Sequence, residues 1–131
     1  MTQTEEHTIM IIDDNETNLE LLYEALSQLY DVIAIADGAY AIETAKEEQP
    51  ELILLDIMMP GIDGFAVCKA LKTDPATTHI PIIFVSACDD QINLSKMKDA
   101  GGYALITKPI EFTQLFEIMD TALINPKGST L

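Results

Sequence analysis

"LLDIMMPGIDG", residues 54–64, decides how this chain is read. The apolar run "ELILLD" (51–56) has the character of a buried strand, yet it ends in a carboxylate, Asp56, and Met-Met-Pro-Gly breaks the chain at once. Similar runs recur on either side: "TIMII" (8–12), "DVIAIA" (31–36), "IPIIFVS" (80–86) and "YALIT" (103–107). Between them lie stretches of helix formers at 15–29, 38–48, 63–74, 89–101 and 111–123. In the first of these Leu19, Leu22, Leu26 and Leu29 share helical spacing, and Thr17 with Glu20 has the form of a capping box. In the third, Phe65, Ala66, Cys68 or Lys69 flank the Leu71 face; in the last, Phe112, Leu115, Phe116 and Met119 fall on one side.

A strand followed by a helix, five times over, predicts an α/β fold with a doubly wound five-stranded parallel sheet. Continuous rather than alternating apolar strands agree, because such strands are covered on both faces. The expected strand order is 2-1-3-4-5, a flavodoxin-like (βα)5 arrangement. One domain is expected over residues 8–123, with 1–7 as an N-terminal segment and 124–131 as a tail or the start of a linker; 131 residues suit a single core.

Acids outnumber lysines 22 to 7, for a formal charge of −15, which argues against direct contact with nucleic acid or an anionic membrane. No apolar run reaches the length needed to span a bilayer, and "MTQTEEHT" lacks the marks of a signal peptide, so a cytoplasmic location is expected. Cys68 and Cys88 lack zinc-site spacing and read as free thiols, and His7 and His79 read as incidental.

Ligands of such sheets bind beyond the carboxyl ends of the strands. Those ends carry Asp13-Asp14, Asp56, Ser86 and Thr107-Lys108-Pro109. In the expected order four neighbouring strands cover about 15 Å, a span that aspartate and lysine side chains largely bridge. A lone strand-end aspartate is commonly just a helix cap, but three crowded carboxylates repel one another unless a cation lies among them. A partly hydrated Mg²⁺ suits so few hard oxygen donors, and such an ion commonly binds phosphate as well. With Lys108 as a second positive pole, the rim suits a phosphoryl group, and Asp56 is the best candidate for its nucleophilic acceptor.

The segments "IIDDN", "LILLDIMMPGIDGF", "IPIIFVSA" and "ITKPI", in this order and on these elements, resemble the receiver domains of bacterial two-component response regulators. The resemblance runs from about residue 8 to 123. It implies that Asp56 takes a phosphoryl group from a sensor histidine kinase or histidine phosphotransfer protein, and passes the signal to an attached output domain or a partner. It implies Asp14 as a direct Mg²⁺ ligand, Asp13 as one acting largely through water, and the Met58 carbonyl as a further ligand. Ser86 would hydrogen-bond the phosphoryl group and Lys108 would pair with it, after a Lys108-Pro109 bond that is typically cis. Such a domain catalyses its own phosphorylation and dephosphorylation rather than turning over a substrate. Helix 1, with Asn18 and Leu22, would dock the donor, and a homodimer would use the face of helix 4, strand 5 and helix 5. The style of "LKTDPATTHIPIIF" resembles receivers fused to cyclic-dinucleotide enzymes.

One departure concerns switching. The family commonly places an aromatic residue three before the lysine, where this chain has Leu105. Leu105 would act as a smaller plunger behind Ser86; the nearest aromatic, Tyr103, is expected on the same side of the strand, as a fixed contact or as core edge. Cys88 would lie near the phosphoryl group's approach. The main alternative is a degenerate receiver that binds partners without phosphorylation. A haloacid-dehalogenase-type hydrolase would need an aspartate two residues past the nucleophile, where Met58 stands, and a flavodoxin-type binder would need a phosphate-cradling loop in place of "DDNET".

Overall fold

The computed structural model describes residues 7–59, 61–87 and 91–126, with only the backbone described at Met58. Five parallel strands, β1 (Thr8–Ile12), β2 (Asp31–Ile35), β3 (Leu52–Asp56), β4 (Ile82–Ser86) and β5 (Ala104–Thr107), form one sheet in the order β2-β1-β3-β4-β5. This is the expected order. Around it lie α1 (Glu16–Leu26), α2 (Ala41–Glu48, entered through a 3-10 turn at Gly38–Tyr40), α3 (Gly64–Thr73), α4 (Gln91–Ala100) and α5 (Phe112–Ile124). A short antiparallel hairpin pairs Met58–Met59 with Ile62–Asp63.

Alternation along each strand splits the core in two. Met10, Ile12, Ile53, Leu55 and Phe84 face α2, α3 and α4, against Ala45, Leu71 and Met97. Ile9, Ile11, Leu52, Leu54 and Ile83 face α1 and α5, against Leu22, Leu26, Leu115 and Met119. β3 and β4 are buried at every position, which is why their sequences are apolar up to the polar residue that ends each, Asp56 and Ser86. β2, an edge strand, exposes Asp31 and Ala34.

Helix boundaries differ from the sequence-based expectation in ways that have local causes. The cap of α1 is Asn15, whose side chain accepts the Asn18 N–H at 3.0 Å; no Thr17 capping box forms, because Thr17 already lies inside the first turn. α1 ends at Leu26, where the Tyr30 N–H bonds the Leu26 carbonyl at 2.8 Å, and Leu29 is left exposed in the turn. Phe112 opens α5 and remains partly exposed, so the buried stripe there is Leu115, Met119 and Ala122. On α3 the buried residues are Gly64, Val67, Cys68 and Leu71, and Phe65 packs its ring on Phe84 with centroids 5.0 Å apart.

Burial pushes the Cys68 thiol up to about 12, partly offset by the nearby Lys72 charge; its sulfur lies 3.4 Å from the Ala100 carbonyl, consistent with a packing role. The loop after α3 is tied to α2 by a 2.9 Å pair between Lys46 and Asp74, which raises the lysine's pKa and lowers the aspartate's, in both cases first through their hydrogen bond.

β5 begins just after Gly102. A Cβ there would lie 2.6 Å from a Phe84 ring carbon and 2.7 Å from Met97 Cγ, closer than packed atoms approach. Gly102→Ala is therefore expected to destabilise the fold by about 1–3 kcal/mol, read as a lower urea midpoint with an unchanged slope.

Candidate functional site

The carboxyl rim of the sheet is assembled by backbone register. Asp13 leaves β1 with its N–H bonded to the Ile35 carbonyl at 3.1 Å, and its Oδ1 accepts the Asn15 N–H at 2.9 Å. Asp56 is the last residue of β3, the neighbouring strand. Both are almost fully buried, at 2% and 3% exposure, whereas Asp14 is exposed. One carboxylate oxygen from each of Asp13, Asp14 and Asp56 lies within 4.8 Å of the others, so the three acids form one cluster. Three hard oxygen donors at this spacing fit a small divalent cation such as Mg²⁺.

The cationic pole comes from the far side. The Lys108 N–H bonds the Ser86 carbonyl at 2.8 Å, which brings the β5 end against the β4 end, and Lys108 Nζ stands 3.7 Å from Asp56 Oδ1. The Lys108-Pro109 bond is cis, as the resemblance implied. Ser86, also almost fully buried, ends β4 one residue past the register partner of Asp56. At the rim, therefore, Asp13, Asp14, Asp56 and Lys108 converge, with Ser86 on the adjoining strand end.

Met58 lies two residues beyond Asp56, at the start of the 58–63 hairpin. The turn into α3 explains the rest of the opening stretch. Asp63 caps the helix by accepting the Phe65 N–H at 2.9 Å, and Gly64 allows close approach, since a Cβ there would come within 3.0 Å of the Asp56 carbonyl oxygen. The end of the Asp56 strand is thereby packed against the first turn of α3.

Leu105 and Tyr103 do not share a side of the sheet. Leu105, opposite Phe84 in β5, packs on the cluster beneath α2, α3 and α4, whereas Tyr103 packs on the cluster beneath α1 and α5. The expectation of a common side is corrected here: Tyr103 precedes the strand, which starts at Ala104, and strand alternation does not extend to it. Cys88, expected near the approach to the site, lies outside the described residues.

Beside the rim, on the α1 face that the resemblance assigned to donor docking, lies a groove whose Leu21 and Phe112 sequence reasoning missed. The groove, of about 250 Å³, runs between α1 and the entry to α5, and Asp13, Asn18, Leu21, Leu22, Lys108 and Phe112 are among its lining residues. Leu21 is 57% exposed although it sits beside the buried Leu22. The signal was the Leu21-Leu22 doublet: adjacent helix positions cannot both face the core.

Comparison with known proteins agrees with this geometry. The family model described as "Response regulator receiver domain" matches residues 9–120. Response regulator PleD of Caulobacter vibrioides is 41% identical over 109 residues, which is 82% of this chain but 24% of PleD, so the chain spans about a quarter of that relative. The polar-differentiation response regulator DivK of Brucella anthropi is 34% identical over 117 residues, 88% of this chain and 95% of DivK. A crystal structure from Chloroflexus aurantiacus, provisionally described as a response regulator, superposes with a TM-score of 0.87 at 30% identity, covering 92% of this chain and 100% of that one. With the family match over most of its length and a relative of DivK's size covered almost end to end, the chain belongs to the response regulator receiver domain family.

Proposed function

We propose that this domain accepts a phosphoryl group on Asp56 in a Mg²⁺-dependent reaction, from a sensor histidine kinase or a histidine phosphotransfer protein. The observation that carries the reading is the cluster of Asp13, Asp14 and Asp56 within 4.8 Å, with Lys108 Nζ 3.7 Å from Asp56. In the reaction an Asp56 carboxylate oxygen forms the P–O bond while the donor's P–N bond breaks and its imidazole nitrogen keeps the electron pair. Asp13, Asp14, Asp56 and the Met58 carbonyl would hold the ion. When bound, Mg²⁺ supplies charge neutralisation for the transferring oxygens. The Lys108 ammonium neutralises charge from the other side, and the Ser86 hydroxyl donates to a phosphoryl oxygen.

The groove beside α1 suits a donor protein. It presents Leu21 and Phe112 as apolar contacts beside the acceptor rim, and docking there would bring a phosphohistidine toward Asp56. Movement of Ser86 toward the phosphoryl group would pass to Leu105 and from there to α4, altering the face of α4, β5 and α5 that a partner, an attached output domain or a second copy reads. The PleD match favours a module of a longer protein and the DivK match a domain that acts alone; either setting uses the same chemistry. No helix among the described residues is long and apolar enough to cross a membrane, and a cytoplasmic location accords with a kinase-coupled domain.

Intact mass after incubation with acetyl phosphate and Mg²⁺ tests the reading. One added phosphoryl group is expected, lost in EDTA and lost in Asp56→Asn. A folded, magnesium-binding protein that gains nothing from acetyl phosphate or from a phosphohistidine donor would instead be a phosphorylation-independent binding module.

The crowded acids make a second prediction. In EDTA, Asp14→Asn relieves repulsion at an exposed position, so Tm is expected to rise by a few degrees, while the stabilisation by Mg²⁺ shrinks. Thermal unfolding of both proteins with and without Mg²⁺ checks both signs; a lower Tm in EDTA would show that the Asp14 carboxylate stabilises the metal-free fold.

A further inference from the structure

At the opposite end of the sheet, where β4 and β5 begin, a cavity of about 680 Å³ opens between the loop before β4, the end of α4 and the stretch after α5. Lys72, His79, Met97, Lys98, Tyr103 and Pro126 are among its walls. In a chain with 22 acids and 7 lysines, two lysines and a histidine line this space and no carboxylate does, among the described residues. The local charge is therefore inverted relative to the molecule.

One polar group here is incompletely satisfied. The Lys72 ammonium is partly buried and donates to the Thr78 carbonyl at 3.0 Å and the Ile80 carbonyl at 2.7 Å. These contacts tether the loop, but they use two of its three donors and provide no counter-charge. Among the described residues Lys72 takes part in no ion pair, and burial pushes its pKa down. An ammonium without a counter-ion thus belongs to a wall of a cavity whose size suits a small organic ligand.

We propose that this cavity binds a small organic anion, with its carboxylate or phosphate-like group toward Lys72 and an apolar body against Met97 and Pro126. Lys98 and His79, at the exposed margin, add to the attraction for a negative group. The site is separate from the acidic rim and does not depend on the phosphoryl-transfer reading.

Phenylphosphonate is a suitable probe, titrated into ¹⁵N-labelled protein in EDTA, with neutral benzyl alcohol as the control. Saturable amide shifts are expected at residues 78–80 and 101–103, with binding about tenfold tighter than for the alcohol because only the anion supplies charge-assisted hydrogen bonds. Lys72→Gln is expected to weaken binding about tenfold. That variant also releases the loop tether, so Lys98→Gln, at the exposed margin, provides a second test, with an expected loss of about threefold. Absence of saturable shifts, shifts confined to the Asp13–Asp56 rim, equal binding of the alcohol, or undiminished binding by both folded variants would each overturn the proposal.

Discussion

The burial of two carboxylates at the ends of adjacent parallel strands is the constraint on which the rest of the rim depends. Asp13 and Asp56 are both almost fully buried, and strand register, set by ladders such as Ile12 opposite Leu55, places them side by side. Carboxylates removed from water need hydrogen bonds or positive charge nearby. Asp13 receives one backbone N–H from Asn15, and Asp56 has the Lys108 ammonium at 3.7 Å. The order β2-β1-β3-β4-β5 makes this arrangement attainable, because the lysine arrives from β5 across a single intervening strand.

Seven of the chain's 22 acids fall into two physical roles. Asp37, Asp63, Asp74 and Glu111 each accept a backbone N–H two or three residues later, and Asn15 does the same with a neutral amide. These are caps and turns, worth roughly 0.5–2 kcal/mol each at helix starts. Asp13, Asp14 and Asp56 instead gather at one point. Asp13 belongs to both groups, since its hydrogen bond to Asn15 also orients the carboxylate that faces Asp56. The turn that starts α1 and the candidate metal site are consequently one piece of backbone.

The strands and their order were legible because a doubly covered parallel sheet demands unbroken apolar segments, and Ile53, Leu54, Ile82 and Ile83 meet that demand on both faces. The rim residues were legible for a related reason: a polar residue at the end of such a segment has one place to go. Features governed by a single local contact were not. Asn15 outcompeted Thr17 as a cap through one hydrogen bond, and Leu29 fell outside α1 because the helix closed three residues earlier. Tyr103 defeated the alternation rule because the strand starts one residue after it. The basic cavity was invisible for a different reason. Lys72, His79, Lys98 and Tyr103 come from separate elements with no common spacing, and only the packed fold unites them.

The way β5 is held constrains how a signal from the rim could travel. At its start the Tyr103 N–H bonds the Ile82 carbonyl at 2.7 Å, and side-chain-free Gly102 is pressed against Phe84 and Met97. At its end the Lys108 N–H bonds the Ser86 carbonyl at 2.8 Å. A strand anchored at both ends cannot slide along β4 without breaking this ladder, and close-packed interiors do not yield by small continuous amounts. What remains adjustable is the side-chain layer: Leu105 is only partly buried, and the α4 above it contributes just Met97 and Ala100 to the buried core. A helix held by so little apolar area is the element most easily repositioned. The proposed switch would therefore act through Leu105 packing and α4 displacement, with β5 itself as the fixed reference.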